Sequence, residues 1–388
     1  MAKAPDVCVT SVRDWVRKYG NAVLDDPTNG IIGIGVGKKS TGALDDDSSF
    51  CVTGFVQRKL TRKQLKARAI PEFSASFAAI SGSRPEQQAL EIDVVDAGST
   101  FSATPKLRVD KSQRGPYGGP LPSVDLQKKF EAIRGGIGIT NPAGAYPEYL
   151  SVGTLGFIVC DPQERLYLVS NNHVIANEND ARKGNVIVQP GTLDLTDTEL
   201  DLMDTLARLR NQLRIAKLSA WVDIEFPTAA QIPFNEVDCA IAEIEQSRRS
   251  VTEVARIGLG GVSRGLGPDY RVDADSGRVA GSTRVYKAGR TTGWTEGEVV
   301  ALNVLTDVEY GAGVARFRNQ IAIKPTADNT GPFSDSGDSG SGIYNQAHKL
   351  VALLFAGSAT RTLANPARKV MSALGSALGR GRLTVVQG

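Results

Sequence analysis

Ser339 stands in the stretch Ser336-Gly337-Asp338-Ser339-Gly340-Ser341-Gly342, where a hydroxyl is set among glycines. A serine hydroxyl is a poor nucleophile at neutral pH. To act as one it needs a sharp turn, a base beside it and backbone N–H groups aimed at the oxyanion that its attack creates. Gly337 and Gly340 can take backbone angles closed to other residues and let a substrate carbonyl approach. By itself the heptad reads equally well as a Gly/Ser-rich surface loop. A base must be found among only 2 histidines. His348, in Asn345-Gln346-Ala347-His348-Lys349, reads as an exposed turn residue. His173, in Ser170-Asn171-Asn172-His173-Val174-Ile175-Ala176, follows an apolar run and is the better base. An imidazole in that role needs a carboxylate to fix its tautomer and stabilise its cation. Asp238, in Asn235-Glu236-Val237-Asp238-Cys239-Ala240-Ile241-Ala242, is an acid in an otherwise apolar run, where it is costly unless paired. A structural ion pair would explain Asp238 equally well.

These residues need a scaffold. Apolar Leu350 to Phe355 follows the serine loop as a strand that braces it. Between residues 131 and 380, short apolar runs separated by turns, such as Gly153 to Cys160, Leu166 to Val169, Val285 to Ala288, Glu298 to Leu302 and Ile321 to Ile323, predict an antiparallel barrel or sandwich. Thr196 to Lys217 carries Leu200, Met203, Leu206, Leu209 and Leu213 at helical spacing but could hold a strand over Thr205 to Leu209. Asn365-Pro366 opens a helix that runs to Leu378 and stops at Gly379. Upstream, Thr10 to Tyr19 predicts a helix stopped by Gly20, Ile31 to Gly37 and Phe50 to Val56 a hairpin, Lys59 to Arg68 a short helix and Glu91 to Asp96 a third strand. Residues 1–100 thus read as a small α/β domain. Residues 101–130, rich in proline and glycine, read as a linker or strap, and 131–388 as a mainly β domain with a C-terminal helix.

Composition excludes several classes. A formal charge of only +3, from 45 basic and 42 acidic residues, gives no basis for a nucleic-acid or membrane partner. No apolar run reaches membrane-spanning length, and the N-terminus carries Arg13, Asp14, Arg17 and Lys18 where a secretory segment would be apolar, so the expected location is the cytoplasm. The 4 cysteines, Cys8, Cys51, Cys160 and Cys239, lack metal-ligand spacing and read as unbridged thiols, and acyl transfer through Ser339, His173 and Asp238 would require neither a metal nor an organic cofactor.

The order His173, Asp238, Ser339 is that of chymotrypsin-like enzymes, and three motifs carry the resemblance. Gly337-Asp338-Ser339-Gly340, Ser170-Asn171-Asn172-His173-Val174 and Val237-Asp238-Cys239-Ala240-Ile241 resemble the nucleophile, histidine and aspartate motifs of trypsin-like serine proteases. Lys287-Ala288-Gly289-Arg290-Thr291-Thr292-Gly293 resembles a segment of bacterial members. Asn171-Asn172 stands where Ala-Ala is usual, and Ser341-Gly342 where Gly-Pro is. The N-terminal half resembles the leading domain of cytosolic proteases related to the plant narrow-leaf protein, some of which form oligomers. The resemblance implies a chymotrypsin-like double β-barrel and hydrolysis of peptide bonds in a protein or peptide substrate. It implies an oxyanion hole from the N–H groups of Gly337 and Ser339, and a specificity pocket near Phe333, Ser334, Phe355, Ala356 and Gly357; no acid sits where an arginine-selective pocket would need one, which favours an apolar side chain, although Asp335 is close enough in sequence to leave a basic one open. It also implies Arg290 as the ion-pair partner of Asp338, ordering the oxyanion loop without proteolytic activation. The alternative is a catalytically silent scaffold of the same fold serving an assembly, which fluorophosphonate labelling of Ser339 would distinguish.

Overall fold

The computed structural model describes residues 9–27, 30–38, 50–58, 92–103, 109–110, 125–248, 256–257, 261–268, 271–272, 279–280, 283–327, 329 and 331–387. The chain is mainly β, as expected, and its strands close into two barrels. In the first, β4 (Gly138–Ile139) pairs with β5 (Gly153–Thr154), and β6 (Phe157–Cys160) forms a hairpin with β7 (Leu166–Ser170). Strands β8 (Val186–Val188), β9 (Arg214–Trp221) and β10 (Ala240–Ile244) continue from β7 in the order β7-β10-β9-β8. The ring closes where Thr140 pairs with Val188 and where the Gly156 N–H donates to the Val169 carbonyl at 2.9 Å. Ile137, Ile139, Leu155, Leu168, Ile187, Ile215, Leu218 and Ala242 fill its interior.

Six antiparallel strands form the second barrel: β11 (Arg284–Gly289), β12 (Gly293–Tyr310), β13 (Gly313–Pro325), β14 (Gly342–Asn345), β15 (Leu350–Gly357) and β16 (Thr362–Pro366). The ring runs β12-β13-β16-β15-β14-β11 and returns to β12. Helix α5 (Ala367–Leu378) follows and ends on Gly379, whose φ of 66° and N–H bonds to Gly375 and Ser376 form the expected stop. Among the described residues no helix is long and apolar enough to cross a membrane.

The upstream elements form where expected but pack differently from a separate unit. Helix α1 (Val9–Leu24) runs past Gly20, whose lack of a side chain admits Leu305 rather than ending the helix. Strands β1 (Ile31–Lys38), β2 (Phe50–Val56) and β3 (Ile92–Asp96) extend the second barrel's sheet, because β1 pairs with β12 as well as with β2. Val12, Trp15, Val16 and Ile34 share one core with Val285, Val299, Ile321 and Ile323. The helix expected over Lys59 to Arg68 and most of 101–130 lie outside the described residues. The ambiguous stretch after Thr196 holds two short helices, α3 (Asp197–Leu202) and α4 (Leu206–Leu213), capped by Thr196 and Thr205. Leu200, Met203, Leu209 and Leu213 bury against Val152 and Val188.

Candidate active site

His173 sits in a single helical turn, α2 (Asn172–Ile175), that follows β7. Asp238 lies just before β10, which pairs with β7 at Ala240 and Ser170, so the sheet register brings acid and imidazole together. His173 Nδ1 lies 2.5 Å from Asp238 Oδ2, and the His173 N–H donates to Oδ1 at 3.3 Å. Both side chains are fully buried. Asn171 donates to the Asp238 carbonyl at 2.7 Å, and Asn172 donates to the Val222 carbonyl at the same distance. The Asp238 N–H in turn donates to Asn365 Oδ1 at 3.0 Å. A carboxylate this deep is held by donors on every side.

One of those donors was invisible in the sequence. Tyr310, at the tip of the β12–β13 hairpin, donates its hydroxyl to Asp238 Oδ2 at 3.0 Å, and its ring stands edge-on to His173. Burial, then the charge of Asp238, pushes the Tyr310 phenol well above its ordinary pKa, so it remains a donor. Glu178, just beyond α2, anchors the same tip by accepting from the Gly311 and Ala312 N–H groups. Only the folded hairpin carries this residue to the acid.

The serine loop faces the first barrel. Gly337 and Gly340 have φ of 93° and 95°, which confirms that both turns require glycine. Thr154 holds the loop down: its N–H donates to the Ser339 carbonyl at 2.8 Å and its hydroxyl to the Gly337 carbonyl at 2.7 Å. The Asp338 N–H is taken by Asp335 and the Gly340 N–H by Leu354. Ser339 itself is 5% exposed. His173 Nε2 is buried and has no hydrogen-bond partner among the described residues. Ser339 therefore makes no hydrogen bond to that nitrogen in this structure, and base–nucleophile bonds commonly tighten only on substrate binding.

Arg290 does not pair with Asp338, contrary to expectation. Its Nε donates to Asp194 at 2.8 Å and its terminal nitrogen also contacts that carboxylate. The partner of Asp338 is Lys287, 3.2 Å away, with both side chains fully buried. Strand alternation explains the exchange. Residues 285, 287 and 289 of β11 share one face. Lys287 therefore points to Asp338, and a Cβ on Gly289 would overlap that carboxylate. Tyr286, Ala288 and Arg290 point the other way, toward the first barrel. Asp338 also accepts from the Thr291 N–H at 2.8 Å, the Thr292 N–H at 3.1 Å and the Thr292 hydroxyl at 2.6 Å. Burial lowers the pKa of Lys287, and Asp338 opposes that shift. Arg290 and Asp194 form a buried clamp between the barrels. Arg290→Ala is expected to lower stability by about 3–5 kcal/mol, because it takes the guanidinium away from a buried carboxylate. A urea denaturation midpoint shifted by no more than a surface substitution shifts it would contradict this.

A cavity of about 360 Å³ borders Ser339. Ser334, Ala356 and Gly357 line it, together with Asp335, Ser336 and Ser358. Phe333 and Phe355 do not: Phe333 packs into the second barrel's core, and Phe355 packs at a tilt on Phe317, with ring centroids 4.8 Å apart. The wall is consequently rich in hydroxyls rather than aromatic. Residues Ser99, Thr100 and Ser102, from upstream of the first barrel, complete it.

No protein-family model matches the chain, and neither does any curated protein. Solved structures do. Protease A of Thermobifida fusca is 17% identical over 66% of this chain and 100% of its own, with a TM-score of 0.40. Cellulomonas bogoriensis chymotrypsin is 17% identical over 66% and 100%, at 0.38, and Nocardiopsis protease is 14% identical over 66% and 98%, at 0.36. At these scores and identities the likeness carries no activity across.

Proposed function

We propose that the chain is a serine endopeptidase of the trypsin-like class, acting on protein or peptide substrates through His173, Asp238 and Ser339. The observation that carries this reading is the fully buried His173–Asp238 contact of 2.5 Å, whose imidazole leaves Nε2 unpartnered among the described residues. A buried acid–imidazole pair with that nitrogen open is the orienting half of a proton-transfer relay. Ser339 Oγ bonds to the scissile carbonyl carbon while its proton passes to His173 Nε2. The carbonyl oxygen takes the electron pair and is bound by the Gly337 and Ser339 N–H groups. The carbon–nitrogen bond then breaks, and Nε2 protonates the departing amine. Water repeats the sequence on the acyl-enzyme, releasing the acid and restoring Ser339. Asp238 stays ionised and stabilises the imidazolium.

The cavity beside Ser339 would receive the residue on the acyl side of the scissile bond. Its hydroxyl-rich wall suits a small or polar side chain better than the apolar one expected from the sequence. Incubation with a peptide library, with cleavage sites read by mass spectrometry, tests the reading. Cuts with a shared preference at that residue, absent from the Ser339→Ala protein, are expected. A folded wild-type protein that cuts nothing under conditions where Ser339 is chemically reactive would contradict it.

Tyr310 is a positioning residue in this scheme. Tyr310→Phe is expected to lower kcat about 10-fold or more, since a hydrogen bond to a charged group is worth roughly 1.5–3 kcal/mol. KM should hardly move, because the hydroxyl bears on the chemistry through Asp238 and not on the substrate. A purely structural role would leave kcat of the folded fraction intact.

A further inference from the structure

The edge of β15 nearest Ser339 is already occupied by the chain itself. Toward its start this edge serves the serine loop: Leu354 accepts from the Gly340 N–H at 3.0 Å and donates to Ser341 at 2.9 Å. Three residues on, Gly357 donates to the Ser102 carbonyl at 2.9 Å and accepts from the Ser102 N–H at 2.8 Å. Ser102 pairs antiparallel to Gly357, so from Phe101 to Ala103 the segment runs counter to β15. On its other side the segment bonds to the hairpin that carries Tyr310. The Ala103 N–H donates to the Glu309 carbonyl, and the Glu309 N–H to that of Phe101, both at 3.1 Å. Residues 101–103 thus fill a slot with strand edges for both walls, opening on the cavity that holds Ser339.

An extended peptide binds by adding itself to such an edge, with main-chain hydrogen bonds supplying affinity. Residues 97–103 already do this. Phe101 is fully buried, edge-on to Phe55 at 5.7 Å, and shares a core with Phe317 and Phe355. Ser99 accepts from the Ala359 N–H, and Thr360 donates its hydroxyl to the Asp96 carbonyl. The segment is therefore fastened at several points.

We propose that residues 97–103 are a built-in occupant of the substrate slot, so that the resting chain blocks its own binding edge on the acyl side of the scissile bond. This rests on the protease reading, because it concerns access to Ser339. A peptide long enough to reach Gly357 must displace Ser102, whereas one that ends short of it need not. Activation is then release of this strap, by a partner that captures it or a cut that frees it.

The test compares two peptide amides with one scissile bond, the longer extended by three residues on the acyl side. In the wild-type full-length protein the two should differ in kcat/KM by less than about 3-fold, because the extension finds the edge taken. In Ser102→Pro, which cannot donate to Gly357 and fits the pairing poorly, the longer peptide should gain about 10-fold or more, the worth of the two backbone bonds it can now make. The ratio within each protein is the readout, so a general change in activity cancels. Phe101→Ala, which loosens the anchor, should raise the ratio in the same direction. A wild-type protein that already favours the longer peptide 10-fold would overturn the proposal, and that series stands even if neither variant folds. So would folded variants whose ratio stays at the wild-type value. Failure of Ser339 to react with a small fluorophosphonate would instead remove the protease reading and this inference with it.

Discussion

Ser339→Ala is expected to abolish peptide hydrolysis while leaving the thermal unfolding profile within a degree or two of wild type. The substitution removes one hydroxyl from a turn whose geometry is set by others: Gly337 and Gly340 supply the backbone angles, and Thr154 ties down the carbonyls of Gly337 and Ser339. His173→Ala should be comparably inactive but less innocent structurally, since it leaves the fully buried Asp238 carboxylate with only the Tyr310 hydroxyl and the residue-173 N–H as donors. Residues that act as one unit lose their combined effect when any one is removed, with single losses of up to about a millionfold. The double variant should therefore be no slower than the worse single one. Losses that multiplied would mean that Ser339 and His173 do not share a mechanism. Kinetic assays sensitive to at least six decades, with each variant's fold checked by circular dichroism, would decide it.

Lys287→Met is the second variant with a large expected effect. Asp338 sits directly before the nucleophile, and Lys287 is the cation beside it. Without that charge the carboxylate remains buried on the Asp335, Thr291 and Thr292 donors, and the turn that aims the Gly337 N–H loses its ion pair. A misplaced oxyanion donor costs about 100- to 1000-fold in kcat, and a broken buried pair about 3–5 kcal/mol of stability. The pH dependence carries its own signature. Burial favours the neutral amine, so Lys287 loses its proton in the folded protein at a lower pH than in the unfolded chain. Between those two points the unfolded state binds more protons, and the contribution of this group to stability rises with pH. Activity should fall over the same window, because the charge that orders the loop is leaving. An alkaline limb in kcat below the usual lysine range, with no matching loss of stability from this group, is the expected pattern. Undiminished kcat in Lys287→Met would contradict it.

Much of the site was legible in the residues, for reasons that are local. A serine between glycines, an acid in an apolar run and a histidine after one are departures from what burial tolerates, and each marks a constraint. The β-rich part was legible as short runs separated by turns, which left a barrel and a sandwich both open. What could not be read depended on parity or on long-range contact. Lys287 and Arg290 occupy the same motif, and only the two-residue period of β11 decides which one reaches Asp338; counting from buried Val285 would have pointed to Lys287. Phe333 and Phe355 flank the cavity in sequence, yet their size carries them into the core, leaving the wall to serines. Tyr310 lies 72 positions from Asp238 and reaches it only because β12 and β13 form a long hairpin. Residues 97–103 gave no sign of their destination, since a short polar segment before a proline-rich stretch reads as a connection. The strands at the start of the chain were recognisable, but nothing local announced that β1 would join β12.

The central claim is that Ser339 is a nucleophile activated by the His173–Asp238 pair, and intact-mass spectrometry after treatment with diisopropyl fluorophosphate tests it most directly. The account predicts a single adduct on the wild-type chain, mapped by peptide sequencing to Ser339, no adduct on Ser339→Ala, and labelling of folded His173→Ala slower by orders of magnitude. A folded wild-type chain that takes up no label, or a Ser339→Ala chain labelled as fast as wild type, would contradict it.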